Sequence, residues 1–298
     1  MRALLSLAGV DVPAGVDAAV WDADGPPPPG VEDVEFYVPP YGRGPEGMSL
    51  LERMPRLRVL QTLSAGVEGV LGLVPDGVTL CNAKGVHDAS TAELAVALML
   101  AAQRDLPAYV QAQQAGRWTP TSTVGLADST VLILGYGAIG EAVERRLAGF
   151  EVEVLRVARR ARPGVAALEQ LPELLPRADV VLVLVPLTAA TRGLVDAQLL
   201  ARMKDGALLV NVARGAVVDT GALLNELASR RLRAALDVTD PEPLPEGHPL
   251  WTAPGLLLTP HVGGGTAAMG PRARALVADQ LARWAAGEPL RNVITGEY

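Results

Sequence analysis

The first third of the chain alternates short apolar runs with segments rich in turn-forming or helix-forming residues. The apolar runs are "ALLSLAG", "AAVWDA", "VEFYVP", "LRVLQTLSAG" and "VTLCNA". Several lack the regular polar positions of a strand with one solvent-facing side, so we expect them to be buried on both faces. Such strands, separated by helices, predict a mostly parallel sheet that helices cover.

The longest helix-like stretch follows these strands, with the sequence "STAELAVALMLAAQRDLPAYVQAQQAG". Ser90 or Thr91 is predicted as its N-cap, because a hydroxyl oxygen can accept a hydrogen bond from a free N–H of the first turn. Gly116 is predicted as its end. Pro107 lacks an N–H group and should kink or divide the helix.

The strand-and-helix pattern then restarts with "TVLILGYGAIGEAVERRLAGFEVEVLRVA" and continues through "ADVVLVLVP", "GALLVNVA", "LRAALDV" and "GLLLTP". Near the C-terminus the chain returns to an amphipathic helix with Ala, Leu and Val on one face. This order predicts two α/β domains, the second inserted between the first and its final helix. The predicted boundaries assign residues 1–97 and 268–298 to one domain and residues 98–267 to the other.

Composition and charge exclude several classes of protein. The chain has 298 residues, 49% of them hydrophobic and 20% charged, which is typical of a globular protein with two modest domains. Its formal net charge of -7 argues against binding to a nucleic-acid backbone. No apolar run approaches the ~18 residues that span a bilayer, and the apolar N-terminus is interpreted as a strand rather than a signal peptide.

Cysteine and histidine usage points to the cytoplasm and away from metals. Cys81 is the single cysteine, which excludes an intramolecular disulfide and suits a reducing compartment. With three histidines in addition, the chain has few ligands for a structural metal site, and none is predicted.

A glycine-rich turn after the strand "TVLIL" predicts dinucleotide binding. Gly135, Gly137 and Gly140 have the G-x-G-x-x-G spacing, and Ala138 and Ile139 complete the turn. The preceding strand and the following helix and strand make the motif specific. The glycines permit a tight turn, close approach of a pyrophosphate and close helix packing, and the helix N-terminus favours the anion.

The strand after this helix ends in arginines where many dinucleotide sites have a carboxylate. The segment is "EVEVLRVARRARPG", and Ala158, Arg159 and Arg160 stand at its end. Without a carboxylate to repel a 2′-phosphate, Arg159 and Arg160 are predicted to bind one, which favours NADP(H) over NAD(H). The alternative is that both arginines are ordinary surface residues of a loop.

Three charged residues follow later buried strands. Arg214 comes after "LLVNVA", Glu242 after "ALDVTDP", and His261 after "LLLTP". In open α/β sheets ligands bind at the carboxyl ends of strands, so we expect these side chains to converge on one cleft. A histidine with a carboxylate partner is suited to acid–base chemistry, and an arginine can hold a carboxylate in a bidentate fork.

The chain resembles the D-isomer-specific 2-hydroxyacid dehydrogenases over essentially its whole length. The matching segments are "LGYGAIG", "VPLTAATRGLV", "VNVARGAVVD", "ALDVTDPEPLPEGHPLW" and "TPHVGG". The resemblance implies a Rossmann-type NAD(P)-binding domain (residues 98–267) inserted in a flavodoxin-like substrate-binding domain (residues 1–97 and 268–298). It also implies a homodimer.

The resemblance further implies roles for individual residues. Arg214 would grip the substrate carboxylate and carbonyl, His261 would be the acid and base, and Glu242 would be its carboxylate partner. Asp237 would contact the nicotinamide carboxamide, and Pro186 would line the cofactor site. The loop that offers backbone N–H groups to the substrate carboxylate would consist of Ser64, Ala65, Gly66 and Val67.

The predicted activity is reduction of a small 2-keto acid, such as glyoxylate or hydroxypyruvate, to the D-2-hydroxy acid. The length of the chain leaves no room for an added regulatory domain, which favours a stand-alone reductase. An NAD-dependent D-2-hydroxyacid or phosphoglycerate-type dehydrogenase is the alternative within the class. A nucleotide-sensing corepressor without enzymatic activity is the alternative outside it.

Overall fold

The computed structural model describes residues 1–295, which form two compact units. The first unit contains residues 1–87 and the chain from residue 266 onward. Its five strands pair in parallel in the order β2-β1-β3-β4-β5, the strand order of flavodoxin-like sheets. The strands are β1 (Arg2–Leu5), β2 (Asp17–Val20), β3 (Phe36–Val38), β4 (Val59–Gln61) and β5 (Thr79–Cys81).

The second unit contains residues 88–265 and a seven-stranded parallel sheet. Its strands are β6 (Thr130–Leu134), β7 (Glu153–Ala158), β8 (Ala166–Ala167), β9 (Val180–Val183), β10 (Leu208–Asn211), β11 (Arg233–Leu236) and β12 (Leu256–Leu258). Its helices are α1 (Asp88–Gln103), α2 (Leu106–Gln114), α3 (Ala138–Leu147), α4 (Leu171–Leu174), α5 (Ala197–Leu200) and α6 (Thr220–Ala228). The order β12-β11-β10-β9-β6-β7-β8 reverses direction between β9 and β6, as in Rossmann sheets.

Both sheets are buried on their two faces, as the apolar runs predict. In the first unit, one face of the sheet packs against the last helix, α7 (Met269–Ala286), through Ala273, Val277 and Leu281. In the second unit, every residue of β9 and β10 is buried. These strands therefore form the centre of the second core. Full burial of each Val or Leu side chain contributes about 1.5–3 kcal/mol to the stability of the fold.

The start of α1 differs from the prediction. The helix begins at Asp88, so Ser90 and Thr91 lie buried in its first turn, and the prediction of either as the N-cap is wrong. The physical reason is tertiary packing, because both side chains are buried, and Thr91 lies close to Gly263 in the turn after β12. Pro107 lies in the first turn of α2 and divides the helical stretch, as predicted.

The packing of α1 determines where the units divide. Because α1 packs against α3, β10 and β11 of the second unit, the division falls between residues 87 and 88, whereas the sequence placed it at 97/98, inside this helix. The second division falls between residues 265 and 266 instead of 267/268.

Two further structural properties concern residues 1–295. None of the helices there is both long and apolar enough to cross a membrane. No group of three or more His, Cys, Asp or Glu side chains in that range is arranged to hold a metal ion.

Candidate active site

The turn after β6 passes very close to the backbone of the segment after β9. Gly135 has a φ of +106°, which side-chain-bearing residues rarely adopt. A Cβ at this position would lie 2.6 Å from the carbonyl carbon of Leu184 and from the nitrogen of Val185. Glycine is therefore required where the turn passes the segment after β9.

The rest of the turn leaves space for an anion at the start of α3. Nothing lies within 4 Å of a Cβ built at Gly137, whereas one at Gly140 would be 3.2 Å from the Gly135 carbonyl. The first N–H groups of α3, on Ala138, Ile139 and Gly140, have no partner within the helix. Open space, free N–H groups and the helix dipole together fit a pyrophosphate.

The arginines after β7 lie beside this turn. The carbonyl of Val157 in β7 accepts hydrogen bonds from the N–H groups of Gly135 and Tyr136, each at 2.9 Å. Arg159 and Arg160 follow immediately, both exposed, and neither bonds to another residue in the described part of the chain. Their position directly after β7 therefore brings these two unpaired cations next to the glycine turn.

Two further arginines contact the turn itself. Arg162 Nη2 donates to the Tyr136 carbonyl at 2.6 Å, and its guanidinium lies 5.5 Å from the centre of the Tyr136 ring. Arg156 pairs with Glu144 of α3, which also accepts a hydrogen bond from the Tyr136 hydroxyl. These contacts hold Tyr136 in place between Gly135 and Gly137, and the sequence alone did not indicate them.

Arg214 lies on the loop after β10, and buried backbone contacts fix this loop. Asn211, at the end of the strand, donates from Nδ2 to the Arg214 carbonyl at 2.9 Å and accepts from the Ala213 N–H at 3.0 Å. A Cβ at Gly215 would be only 1.9 Å from the Thr239 carbonyl oxygen. The loop after β10 therefore lies directly against the loop after β11, which leads to Glu242.

His261 and Glu242 form a hydrogen-bonded pair. The distance from His261 Nδ1 to Glu242 Oε1 is 2.5 Å, and the side chains are 45% and 38% exposed. The imidazole Nε2 has no hydrogen bond to residues 1–295 and remains open to a reactant. The pair thus has the geometry of an acid–base histidine held by a carboxylate.

The electrostatics of the pair favour the charged forms of both groups. The hydrogen bond to Glu242 raises the pKa of His261 above its ordinary value, with the Glu242 charge adding to it against the opposing effect of burial. Burial works to raise the pKa of Glu242, but the hydrogen bond and charge of His261 outweigh it and the pKa is lowered. The charge of Arg214 lowers both pKa values, and the close approach of Gly215 to Thr239 brings the Arg214 loop beside the segment that leads to Glu242.

Asp237 lies beneath this cluster of three groups and holds the turn that carries His261. Its carboxylate is 2% exposed and accepts hydrogen bonds from the Thr259 hydroxyl (2.6 Å) and from the N–H groups of Val262 and Gly263 (2.9 Å each). Its carbonyl accepts from the His261 N–H at 2.7 Å. His261 itself has a φ of +52°. Asp237 therefore stabilises a turn whose backbone is unfavourable for a histidine.

The remaining predicted residues are placed as follows. Pro186 is exposed after β9, and its carbonyl accepts a hydrogen bond from Thr191 Oγ1 at 2.6 Å. In the first unit, the loop after β4 is tied to β5 through its carbonyls: Ser64 accepts from the Ala83 N–H and Ala65 from Asn82 Nδ2. Gly66 is half-buried and Val67 is buried.

Sequence reasoning missed the residues that hold the cluster in place, chiefly Asn211 and Thr259. A signal for Asn211 existed, since a polar residue ends the apolar run "LLVN". A buried amide in that position needs partners, and here they are the backbone of the Arg214 loop.

Comparison with known proteins identifies the family. The model of the D-isomer specific 2-hydroxyacid dehydrogenase NAD binding domain matches residues 96–263, more than half of the chain. The chain belongs to this family. It is thus an NAD(P)-dependent 2-hydroxyacid dehydrogenase, and the predictions of family, fold and enzyme class are confirmed.

Named relatives of this dehydrogenase differ in activity. It is 37% identical over 248 residues to the human glyoxylate reductase/hydroxypyruvate reductase, covering 78% of this chain and 76% of the human protein. It is 33% identical to the D-3-phosphoglycerate dehydrogenase of Methanocaldococcus jannaschii, covering 82% of this chain but 49% of that protein. A family member from Xanthobacter autotrophicus Py2, crystallised with NADPH and MES, aligns with a TM-score of 0.81 at 31% identity, covering 99% and 98% of the chains.

Replacing Glu242 with Gln should lower the pKa of His261. The variant removes the negative charge that stabilises the imidazolium, so the ring should lose its proton at a lower pH than in the wild type. An NMR titration of the imidazole resonances measures this shift directly. Glu246→Gln, an equal charge change at an exposed site four residues away, is the control and should leave the His261 titration unchanged. Identical His261 curves would contradict the assigned coupling.

Replacing Asp237 with Asn should loosen the turn around His261. The amide places a donor where one carboxylate oxygen now accepts, so one hydrogen bond is lost and a buried N–H loses its partner. Such a loss costs about 1–3 kcal/mol. We expect faster amide hydrogen exchange at residues 259–263, measured by mass spectrometry. Asp240→Asn, an exposed change three residues away, is the control, and equal exchange in the two variants would refute the role of Asp237.

Proposed function

We propose that the enzyme reduces a small 2-keto acid of the glyoxylate or hydroxypyruvate kind to the D-2-hydroxy acid, with NADPH preferred over NADH. The observation that supports this most is the cluster of His261, Glu242 and Arg214 at the carboxyl ends of neighbouring strands. The name of the human relative agrees with the proposed substrates.

Each member of the cluster has a role in the reduction. A bound nicotinamide cofactor supplies the hydride that the keto carbon accepts. His261 donates a proton from Nε2 to the keto oxygen, and Glu242 keeps the ring protonated because it raises the pKa of the imidazole. Arg214 holds the substrate carboxylate and polarises the carbonyl. In the first unit, backbone N–H groups of the loop Ser64–Val67 are proposed to bind a substrate carboxylate.

The preference for NADPH rests on three arginines beside the glycine turn. Arg159 and Arg160 are exposed and unpaired within residues 1–295, and Arg162 already contacts the turn through the Tyr136 carbonyl. The strand ends at Ala158 without a carboxylate to repel a 2′-phosphate. Binding of NADPH by the Xanthobacter relative supports the same assignment.

Initial rates with NADPH and with NADH, each against glyoxylate, hydroxypyruvate and pyruvate, test both parts of the proposal. We expect turnover in which NADPH is preferred, and Arg159→Asp should reduce that preference by about tenfold or more, since a charge-assisted hydrogen bond contributes about 1.5–3 kcal/mol. Arg145→Asp, an equal charge change at an exposed site on α3, is the control.

The outcomes of this assay separate the alternatives. A preference for NADH would contradict the role of the arginines and leave the catalytic cluster intact. Oxidation of 3-phosphoglycerate in place of the reductions would favour the phosphoglycerate-type activity that the Methanocaldococcus relative carries in its name. Cofactor binding without turnover of any acid would favour the corepressor.

We also propose that the enzyme is a homodimer and that α2 with the following loop contributes to the interface. This region exposes Leu106 (48%), Val110 (52%), Trp118 (95%) and Val124 (54%). Tyr109 ties the loop to the helix through hydrogen bonds to Thr121. Apolar groups exposed together in this way are typical of protein interfaces. The single buried cysteine fits a cytoplasmic location for such an enzyme.

Sedimentation equilibrium tests the dimer. The wild type should sediment as a dimer, and Val110→Ser combined with Trp118→Ser should shift it toward the monomer. Trp251→Ser is the control, because Trp251 is 55% exposed elsewhere in the same unit. A monomeric wild type, or a double variant that remains dimeric, would refute the proposal.

A further inference from the structure

The first unit contains a cleft at the carboxyl ends of its strands. It has a volume of about 350 Å³, and its walls come from the loops after β1, β2, β3 and β4 and from the start of α7. The residues that matter below are Ser6, Asp22, Tyr41, Arg43, Leu63 and Arg274. The carboxyl edge of an open parallel sheet is where such folds bind ligands.

The cleft adjoins the loop that we propose for the substrate carboxylate. Leu63 lines the cleft and directly precedes Ser64, the first residue of that loop. A 2-keto acid has its carboxylate on one side of the keto carbon and its substituent on the other. With the carboxylate on the Ser64–Val67 loop, the substituent can extend into the neighbouring cleft.

Arg274 is the cation of this cleft that lacks a counter-ion. It is half-buried and has no hydrogen bond or ion pair to residues 1–295. Its guanidinium lies against the first turn of α7, where its nitrogens would be 3.7 Å from a Cβ at Gly270. A partly desolvated guanidinium without a partner is costly, and an anionic ligand removes that cost.

The cleft has two other charged residues, Arg43 and Asp22. Arg43 pairs with Asp24 at 3.1 Å, with both side chains largely exposed. Asp22 accepts a hydrogen bond from the Asp24 N–H at 3.0 Å and is exposed. Arg43 and Asp24 therefore neutralise each other, and the negative charge of Asp22 is hydrated at the solvent-exposed rim, so Arg274 is the cation in the cleft without a counter-ion.

Contacts among neighbouring side chains hold one wall of the cleft in place. The Tyr41 ring stacks on His87 with centroids 5.5 Å apart and an interplanar angle of 20°. His87 is buried, and its Nε2 donates to the Leu63 carbonyl at 2.8 Å, since a carbonyl can only accept. Ser6 Oγ donates to the Pro39 carbonyl at 2.9 Å. A wall fixed by such contacts binds a ligand with little loss of side-chain entropy.

We propose that this cleft binds a second anionic group on the substrate and that Arg274 is the specificity-determining residue. The preferred small 2-keto acids are then those whose substituent ends in a carboxylate or a phosphate. The inference rests on the proposed function, because it places the keto acid on the Ser64–Val67 loop. It narrows the proposed substrates: glyoxylate and hydroxypyruvate would be reduced through the carboxylate loop alone, and a 2-keto acid with a second anionic group would be reduced with a higher kcat/KM.

Steady-state kinetics with three 2-keto acids test the proposal. Hydroxypyruvate has an uncharged substituent, oxaloacetate adds a carboxylate, and 3-phosphohydroxypyruvate adds a phosphate. We expect the wild type to have the highest kcat/KM for an anionic substituent. Arg274→Gln should lower kcat/KM for that substrate by about tenfold to a hundredfold, as one charge-assisted hydrogen bond implies, and change hydroxypyruvate by less than about twofold.

Two further variants exclude a merely structural effect. Arg274→Lys keeps the positive charge but lacks the planar guanidinium, so it should retain part of the preference for an anionic substituent. Arg272→Gln removes an exposed arginine from the same helix and should behave like the wild type. An equal loss for all three acids in Arg274→Gln, or a wild type that prefers hydroxypyruvate, would overturn the proposal. The anionic substrate with the higher kcat/KM identifies which anion the cleft accepts.

Calorimetric titration with succinate distinguishes failure of this inference from failure of the proposed function. Succinate has two carboxylates and no keto group, so its binding does not require turnover. Binding by the wild type that Arg274→Gln abolishes and Arg272→Gln retains supports the cleft, even if no acid is reduced. Turnover of keto acids combined with succinate binding that is independent of Arg274 would refute the cleft and leave the reductase intact.

Discussion

The buried carboxylate of Asp237 is the interaction on which the catalytic arrangement depends. It accepts hydrogen bonds from one hydroxyl and two N–H groups of the turn after β12, and its own carbonyl accepts the His261 N–H. A histidine at positive φ is unfavourable by about 1–3 kcal/mol, and these bonds offset that cost. The turn in this conformation brings the imidazole to Glu242, and that contact raises the pKa of His261. Acid–base chemistry at this site therefore depends on Asp237, the residue that directly follows β11.

Close backbone approach is the second constraint, and it links neighbouring loops at the carboxyl edge of the second sheet. Gly215 lies against the Thr239 carbonyl, which brings the Arg214 loop beside the segment that leads to Glu242. Gly135 lies against Leu184 and Val185 in the same way. A Cβ at either position would push two loops apart, and the groups on those loops would separate with them. The glycines thus determine distances between side chains that they do not contact.

The sequence predicted the elements and the reacting groups better than the contacts between them. Apolar runs such as "VVLV" identify strands because complete burial tolerates few polar residues. The start of α1 was misplaced because Ser90 and Thr91, good N-caps in isolation, are buried by packing against other elements. The partners of the Asp237 carboxylate, and Arg162, which donates to the Tyr136 carbonyl, lie more than twenty residues away along the chain. Such contacts depend on strand order and register, which local pattern does not encode.

An acidic chain that binds anionic ligands requires local rather than global charge. The net charge of -7 is spread over the surface, and ionic screening limits its reach to about 8 Å at physiological salt. Near the glycine turn, Arg162 contacts the Tyr136 carbonyl and Arg159 and Arg160 follow β7 directly, whereas the first unit's cleft has Arg274. Arginine suits these positions because its planar fork matches phosphate and carboxylate geometry and is weakly hydrated. The choice of residue at a few strand and helix ends, not the overall charge, therefore decides which ions this fold binds.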